Sequence, residues 1–158
     1  LMDFVSAHGG AIGPEALTSP GQFDHPLVRR AKLEISAAAL GWGKIPSHNV
    51  STTLHDAPRV AEDARRAASE FGYLRMWSVH PDQIEAIVAA LTPSHAALER
   101  AAAVIAAAQA TDWGPTREDG RLHDRASYRL FWHLLERAHA AGAPLPAGAQ
   151  GYFEPEHS

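Results

Sequence analysis

"EFGYLRMWSVHPDQIEAIVAAL", residues 70–91, is the stretch on which the reading of this chain turns. A short apolar run (Met76, Trp77 and Val79) stops at His80-Pro81, and an amphipathic pattern begins at once. That is a strand handing over to a helix through a histidine. Pro81 suits a first helical turn, and Asp82 with Glu85 gives a D-x-x-E capping pattern.

Working outward, the same alternation recurs. "LMDFV" reads as the end of an apolar strand, followed by a Gly-, Pro- and Ser-rich loop to about Gln22. From Pro26 a helical pattern puts Leu27, Ala31, Ile35 and Ala38 on one face, and Gly41 or Gly43 stops it. "KIPSHNV" is a short strand. Asp56 is the N-cap of a helix with Pro58 in its first turn, ending at Gly72. "RMWSV" is the third strand. Beyond it the alternation ends. Ser94 caps an Ala-rich helix, "TDWGPTREDGRLHD" reads as a loop, and a last helix turns Tyr128, Phe131, Leu134 and Leu135 toward a partner. Three strands separated by helices predict parallel pairing in an α/β fold.

The composition narrows the class. With 46% hydrophobic and 20% charged residues the chain has the balance of a soluble globular protein. A net charge of −4 supplies no basic footprint for nucleic acid. No apolar run approaches the ~18–20 residues of a membrane span, and no signal peptide opens the chain, which fits a cytoplasmic protein. The absence of cysteine excludes disulfides, thiolate catalysis and Cys-ligated zinc. The opening apolar stretch, without an initiator methionine, reads as the middle of an element in a longer protein.

In α/β folds chemistry collects where strands end. The three expected ends carry Asp3, then Ser47-His48-Asn49, then Ser78 and His80. A carboxylate at Asp3 among apolar neighbours must be paired, hydrogen-bonded or bound to a cation. It is either a ligand of a hard cation such as Mg²⁺ or a capping aspartate. His48, His55 and His80 match no short zinc spacing, so imidazoles hydrogen-bonded near strand ends are the preferred reading, with His80 free to contact a substrate. Ser47 and Ser78 lack a nucleophile-elbow context. "HGGAIG" is a Gly-rich turn rather than a phosphate loop. Arg29, Arg30, Lys32, Arg65 and Arg66 read as solvated helix faces, and "EDGRLHD" as a surface turn.

Taken together, these pieces resemble the HpcH/HpaI aldolase and citrate lyase family, most closely its citrate lyase β-subunit-like branch. "EFGYLRMWSVHPDQIEAI" is similar to the branch's Gly-x-x-x-x-Trp-x-Ile-His-Pro-x-Gln-Ile segment, and "LMDFVSAHGG" to its Asp-Phe segment. "HPLVRRAKLEISAAALGWGKIP" resembles the intervening helix and strand, and "EDGRLHDRASYRLFWHLL" the C-terminal Asp-Gly-Lys-Met-Ile-Asp segment with its helix. The likeness runs to about residue 138.

The resemblance implies the C-terminal part of a TIM (β/α)8 barrel, about strands 6–8, followed by a helical extension. Residues 1–92 would be the barrel units, 93–143 the extension with its lid loop, and 144–158 a Pro- and Gly-rich tail, mobile at its end. It further implies a Mg²⁺-dependent carbon–carbon lyase that resembles citrate lyase β subunit and cleaves a 3-hydroxy acid or its CoA thioester by aldol-type (retro-Claisen) chemistry. In the family Mg²⁺ acts as a Lewis acid. Asp3 matches its aspartate ligand, while the glutamate ligand and a substrate-binding arginine belong to earlier strands. His80 and Pro81 match the barrel mouth, and Ser47, His48 and Asn49 fall at the seventh strand's end as further substrate-binding candidates. Asp124 matches the lid aspartate that serves as acid/base in a neighbouring subunit, so a homo-oligomer is expected. His123 stands where the family has an aliphatic residue, Arg125 where it often has proline, and "PSHNVST" replaces an Asp-containing strand end. The alternatives are a CoA-independent oxo-acid aldolase of the same family and a non-catalytic binding module. Three βα units cannot close an eight-stranded barrel, so residues 1–158 alone are expected to aggregate, fold partly or oligomerise without lyase activity.

Overall fold

A computed structural model describes residues 1–118 and 120–154. The chain divides into two compact units, Leu1–Leu91 and a second beginning at Thr92.

In the first unit the order is α1 (Met2–Ala7), a 3-10 turn (Pro14–Leu17), α2 (Gly21–Asp24), α3 (Pro26–Gly41), β1 (Ser47–His48), α4 (Ala57–Phe71), β2 (Arg75–Met76) and α5 (Asp82–Leu91). β1 and β2 pair in parallel, Ser47 opposite Arg75 and His48 opposite Met76, as the βα alternation predicts. Helix α4 begins where expected: the Asp56 carboxylate accepts from the Arg59 amide at 3.0 Å. It ends on Gly72 at φ +75°, a conformation that glycine adopts without a Cβ clash.

Two expectations are corrected. "LMDFV" is not a strand but most of helix α1, because Leu1, Phe4 and Val5 share one helical face and pack on Ile12, Ala16 and Val28. A five-residue apolar run suits either period, and here the i, i+3, i+4 contacts decide it. Helix α3 is turned by about a quarter-turn from the expected orientation and buries the neighbouring stripe. Val28, Lys32 and Ser36 face inward, while Leu27, Ile35 and Ala38 are exposed. Polar partners for Lys32, rather than apolar area, set the rotation of this helix.

The second unit runs α6 (His95–Ala110), β3 (Thr116–Glu118), β4 (Arg121–His123), α7 (Arg125–Ala140) and a 3-10 segment (Ala147–Phe153). Ser94 caps α6 as expected, accepting from the Ala97 amide. The stretch read as a loop contains an antiparallel hairpin, Thr116 opposite His123 and Glu118 opposite Arg121. Tyr128 holds it: its hydroxyl donates to the Gly114 carbonyl at 2.6 Å and lies 3.1 Å from the Thr116 hydroxyl. Helices α6 and α7 enclose one core of Leu98, Val104, Ile105, Tyr128 and Leu135, with Phe131 and Leu134 alongside, so the predicted inner face of α7 is the observed one. Ala149 of the tail joins this core; the tail's end, residues 155–158, and Asp119 of the hairpin lie outside the described residues. His123 is buried with neither ring nitrogen hydrogen-bonded among the described residues.

Candidate functional site

The strand-to-helix junction at His80 is built by the glutamine of the His-Pro-x-Gln-Ile motif, to which the sequence reading gave no role. Gln83, fully buried, accepts from the Val79 amide at 3.0 Å and the Ser78 hydroxyl at 3.2 Å. Its amide nitrogen donates to the Ser51 and Thr53 carbonyls at 3.0 and 2.9 Å. One side chain thus ties the β2–α5 turn to the segment after β1. His80 accepts from the Asp82 amide at 3.3 Å and stands edge-on to His55. The helix start is organised by His80 and Gln83.

A cavity of about 680 Å³ opens within the first unit. Asp3, Ser47, His48 and Asn49 line it together, with Ser19, Gln22, Lys32, Ser51, Asp63 and Trp77. His80 and Pro81 are not among its lining residues; they sit on the turn into α5. Asp124 belongs to the second unit, where it is the N-cap of α7, accepting from the Ala126 and Ser127 amides at 3.0 and 3.3 Å.

The polar wall of the cavity is a network around Lys32, which the sequence pattern assigns to a solvated face and the fold buries. Its ammonium donates to the Asn49 side-chain oxygen at 2.7 Å, to the Gln22 side-chain oxygen at 3.2 Å and to His48 Nε2. His48 Nδ1 bonds the Asn49 carbonyl at 2.9 Å, so the ring is a neutral Nδ1–H tautomer and both nitrogens are committed within the chain. The Asn49 amide donates to Gln22, and Gln22 donates onward to Asp63 at 3.4 Å. Ser19 also donates to Asp63. Burial pushes the Lys32 ammonium down to about 7, against the attraction of Asp63. Burial, with the Lys32 charge next, pushes His48 down to about 3. Burial raises the Asp63 carboxyl, against hydrogen bonds from Ser19 and Ser51. The ring of Phe23 stacks on His48 and lies under the Lys32 ammonium at 4.9 Å. The three ammonium protons therefore all meet neutral acceptors, and Gln22 links this group to the Asp63 carboxylate.

Lys32, Gln22 and Asp63 escaped the sequence reading because each lies in a run of polar residues that looks solvated. No spacing rule marks them. Asp3 is exposed on α1 at the cavity wall. Mg²⁺ takes one or two carboxylates and completes its shell with water and substrate oxygens. Asp3 fits one such position, and no group of three metal-ligating side chains occurs among the described residues. No helix among them is long and apolar enough to cross a membrane.

No protein-family model matches the chain, and no curated protein sequence does. Solved structures do. A citrate lyase from Burkholderia xenovorans LB400 is 61% identical with a TM-score of 0.81, over 97% of this chain and 48% of that one. The protein CitE from Mycobacterium tuberculosis, in complex with magnesium, acetoacetate and coenzyme A, is 27% identical with a TM-score of 0.70, over 87% of this chain and 49% of that one. The chain therefore spans about half the length of both.

Proposed function

The chain belongs to the citrate lyase β-like family, and from that premise we propose that it carries part of a carbon–carbon lyase acting on a 3-hydroxy acid or its CoA thioester. The observation that carries the reading is the 61% identity to a citrate lyase across 97% of this chain. In this reading residues 1–92 are the last units of a TIM barrel, and residues 93–143 a helical extension that carries a lid loop. Asp3 would hold Mg²⁺, which when bound supplies Lewis-acid polarisation of the substrate's oxygens. The 3-hydroxyl gives up its proton, the C2–C3 bond breaks, its electron pair passes into the carbonyl at C1, and C2 takes up a proton. Asp124, exposed at the head of α7, is our candidate for holding that proton, in the site of a neighbouring subunit of a homo-oligomer. Ser47 and Asn49 line the cavity that Asp3 borders, and offer polar contacts to a small acid; His48 fixes Asn49 rather than facing substrate. His80 and Pro81 would serve an arm of the substrate away from this cavity. A cytoplasmic enzyme is the setting proposed.

Coenzyme A in the Mycobacterium tuberculosis structure favours a thioester over a free oxo-acid. The test is turnover of citryl-CoA and malyl-CoA, beside the free acids, by the full protein and its Asp3→Asn variant, with Mg²⁺ binding followed by calorimetry. We expect thioester cleavage that Asp3→Asn abolishes together with tight Mg²⁺ binding. Unchanged metal affinity in the variant would remove Asp3 from the site. Cleavage of free oxo-acids alone would select the CoA-independent aldolase, and no turnover of any of them a binding module.

A further inference from the structure

The hydrogen bonds in the polar wall of the first unit's cavity converge on Asn49. Lys32 Nζ donates to Asn49 Oδ1 at 2.7 Å. Asn49 Nδ2 donates to Gln22 Oε1 at 2.9 Å and to the Val50 carbonyl at 3.0 Å. The backbone carbonyl of Asn49 is met by the His48 ring at 2.9 Å. Residues from α2, α3 and β1, each at most 5% exposed, thus fix one half-buried side chain on the cavity wall. Burying a cation among neutral acceptors often stabilises a fold no more than apolar side chains of the same volume would. Stability alone therefore gives no reason for this arrangement.

What the arrangement does fix is polarity. A side-chain amide offers a ligand either an acceptor or a donor, according to which way its end is turned. An ammonium can only donate, so Lys32 commits the Asn49 amide to one orientation. Both Asn49 amide hydrogens are then used, on Gln22 and Val50, whereas Oδ1 keeps a second lone pair with no donor among the described residues. Asn49 can accept one further hydrogen bond and can donate none. Ser19, also half-buried on this wall, donates its hydroxyl hydrogen to Asp63, which leaves its oxygen an acceptor as well. At these two positions the wall is ready to receive a hydroxyl and has no hydrogen to offer a carboxylate.

We propose that Asn49 receives the hydroxyl of the substrate acid, and that Lys32 is the positioning residue that holds the Asn49 amide in its accepting orientation. The proposal rests on the lyase reading for a hydroxy acid as the ligand, and adds the pair of residues that tells such an acid from its deoxy counterpart. A deoxy acid shuts Oδ1 away from water without giving it a donor, and the site discriminates for that reason.

The test compares malate with succinate, dicarboxylates of the same charge that differ by one hydroxyl. Their affinities are measured by calorimetry at one fixed Mg²⁺ concentration, on the full protein and on its Asn49→Ala, Lys32→Met and doubly substituted variants. The full protein should bind malate at least about tenfold more tightly than succinate. Each single substitution should cut that ratio to about threefold or less, while succinate affinity itself moves by less than about threefold. The double variant should match the singles, because residues that act through one contact are not additive. Melting curves are recorded alongside, and if Lys32→Met is unfolded the Asn49→Ala ratio decides. No preference for malate in the full protein overturns the proposal, as does a ratio unmoved by Asn49→Ala. Equal weakening of both acids, or additive single effects, marks Lys32 as merely structural and overturns it too. Because the readout is binding, the two readings fail separately. Turnover of malyl-CoA with an unmoved ratio removes this inference alone; a shifted ratio without turnover of any thioester or free acid upholds it and removes the lyase.

Discussion

In the second unit the large apolar side chains meet each other: Ile105, Val104, Leu98 and Leu135 are all at most 2% exposed and form one cluster between α6 and α7. In the first unit the buried apolar residues form two small clusters, around Val5 and Val28 and around Phe23 and Phe71, with Val60, Ala64 and Ile87 buried outside both. Meanwhile Ile35, Trp42, Trp77 and Val79 stay more than half exposed. The first unit also buries polar side chains as completely as apolar ones: His48, Asp63 and Gln83 are each 1% exposed. The difference separates two ways of holding a fold. The second unit is held by apolar area. The first is stitched by hydrogen bonds and leaves several large apolar side chains exposed.

The contrast is broken most directly by truncation. Leu135→Ala should cost about 2–5 kcal/mol, whereas Ile35→Ala should stay within about 0.5 kcal/mol, both measured by chemical denaturation. Equal losses would show that α3 has the core role the sequence stripe suggests.

The polar stitching is tested by pH. Lys32 has its folded value lowered to about 7 from an ordinary 10.5, so between those limits the unfolded chain binds more protons than the folded one. Stability contributed by this group therefore rises with pH, by at most about 1.4 kcal/mol per pH unit. Denaturation midpoints between pH 7 and 9.5 should climb, and Lys32→Met should flatten the climb. The window stops short of Tyr73, whose raised value acts in the opposite sense at higher pH. His48, lowered to about 3, likewise makes the protein lose stability as pH falls below 6.5, opposed there by the raised Asp63.

Smaller effects belong to the second unit. Asp124→Ala removes the α7 cap and should cost about 1 kcal/mol in melting experiments, separately from any loss of turnover. Mixed oligomers of Asp124→Ala and Asp3→Asn subunits should regain activity if the lid acts between subunits; mixtures as inactive as their parents would count against that. His123→Leu should stabilise by up to about 1 kcal/mol, since it removes a buried imidazole whose nitrogens have no hydrogen-bond partner among the described residues while an apolar side chain can still pack on Phe131. A destabilised variant would mean that the ring has a partner role.

Much of the architecture is written locally. Asp56, Gly72 and Ser94 mark helix ends through bonds to their own neighbours, so their effect needs no distant contact. The apolar face of α7 is legible for the same reason, since its period of 3.6 survives any environment with one covered side. The parallel pairing of β1 with β2 follows from the helix between them. By contrast, Leu1, Phe4 and Val5 satisfy a strand as well as a helix, and only packing on Ile12, Ala16 and Val28 chooses the helix. The hairpin at Thr116–His123 needs Tyr128, twelve residues from Thr116, to hold it. Of the candidate site, the sequence brought forward Asp3, Ser47, His48 and Asn49, which the fold gathers on one cavity. It could not mark Lys32, Gln22 or Asp63. A lysine in a run of basic residues is solvated by default, and it becomes a buried cation only where Gln22, His48 and Asn49, from two other segments, supply acceptors for its three protons. Capping and periodicity are properties of neighbouring residues, and the sequence determines them alone; the burial of a charge depends on which distant groups come to meet it, and that only the tertiary structure decides.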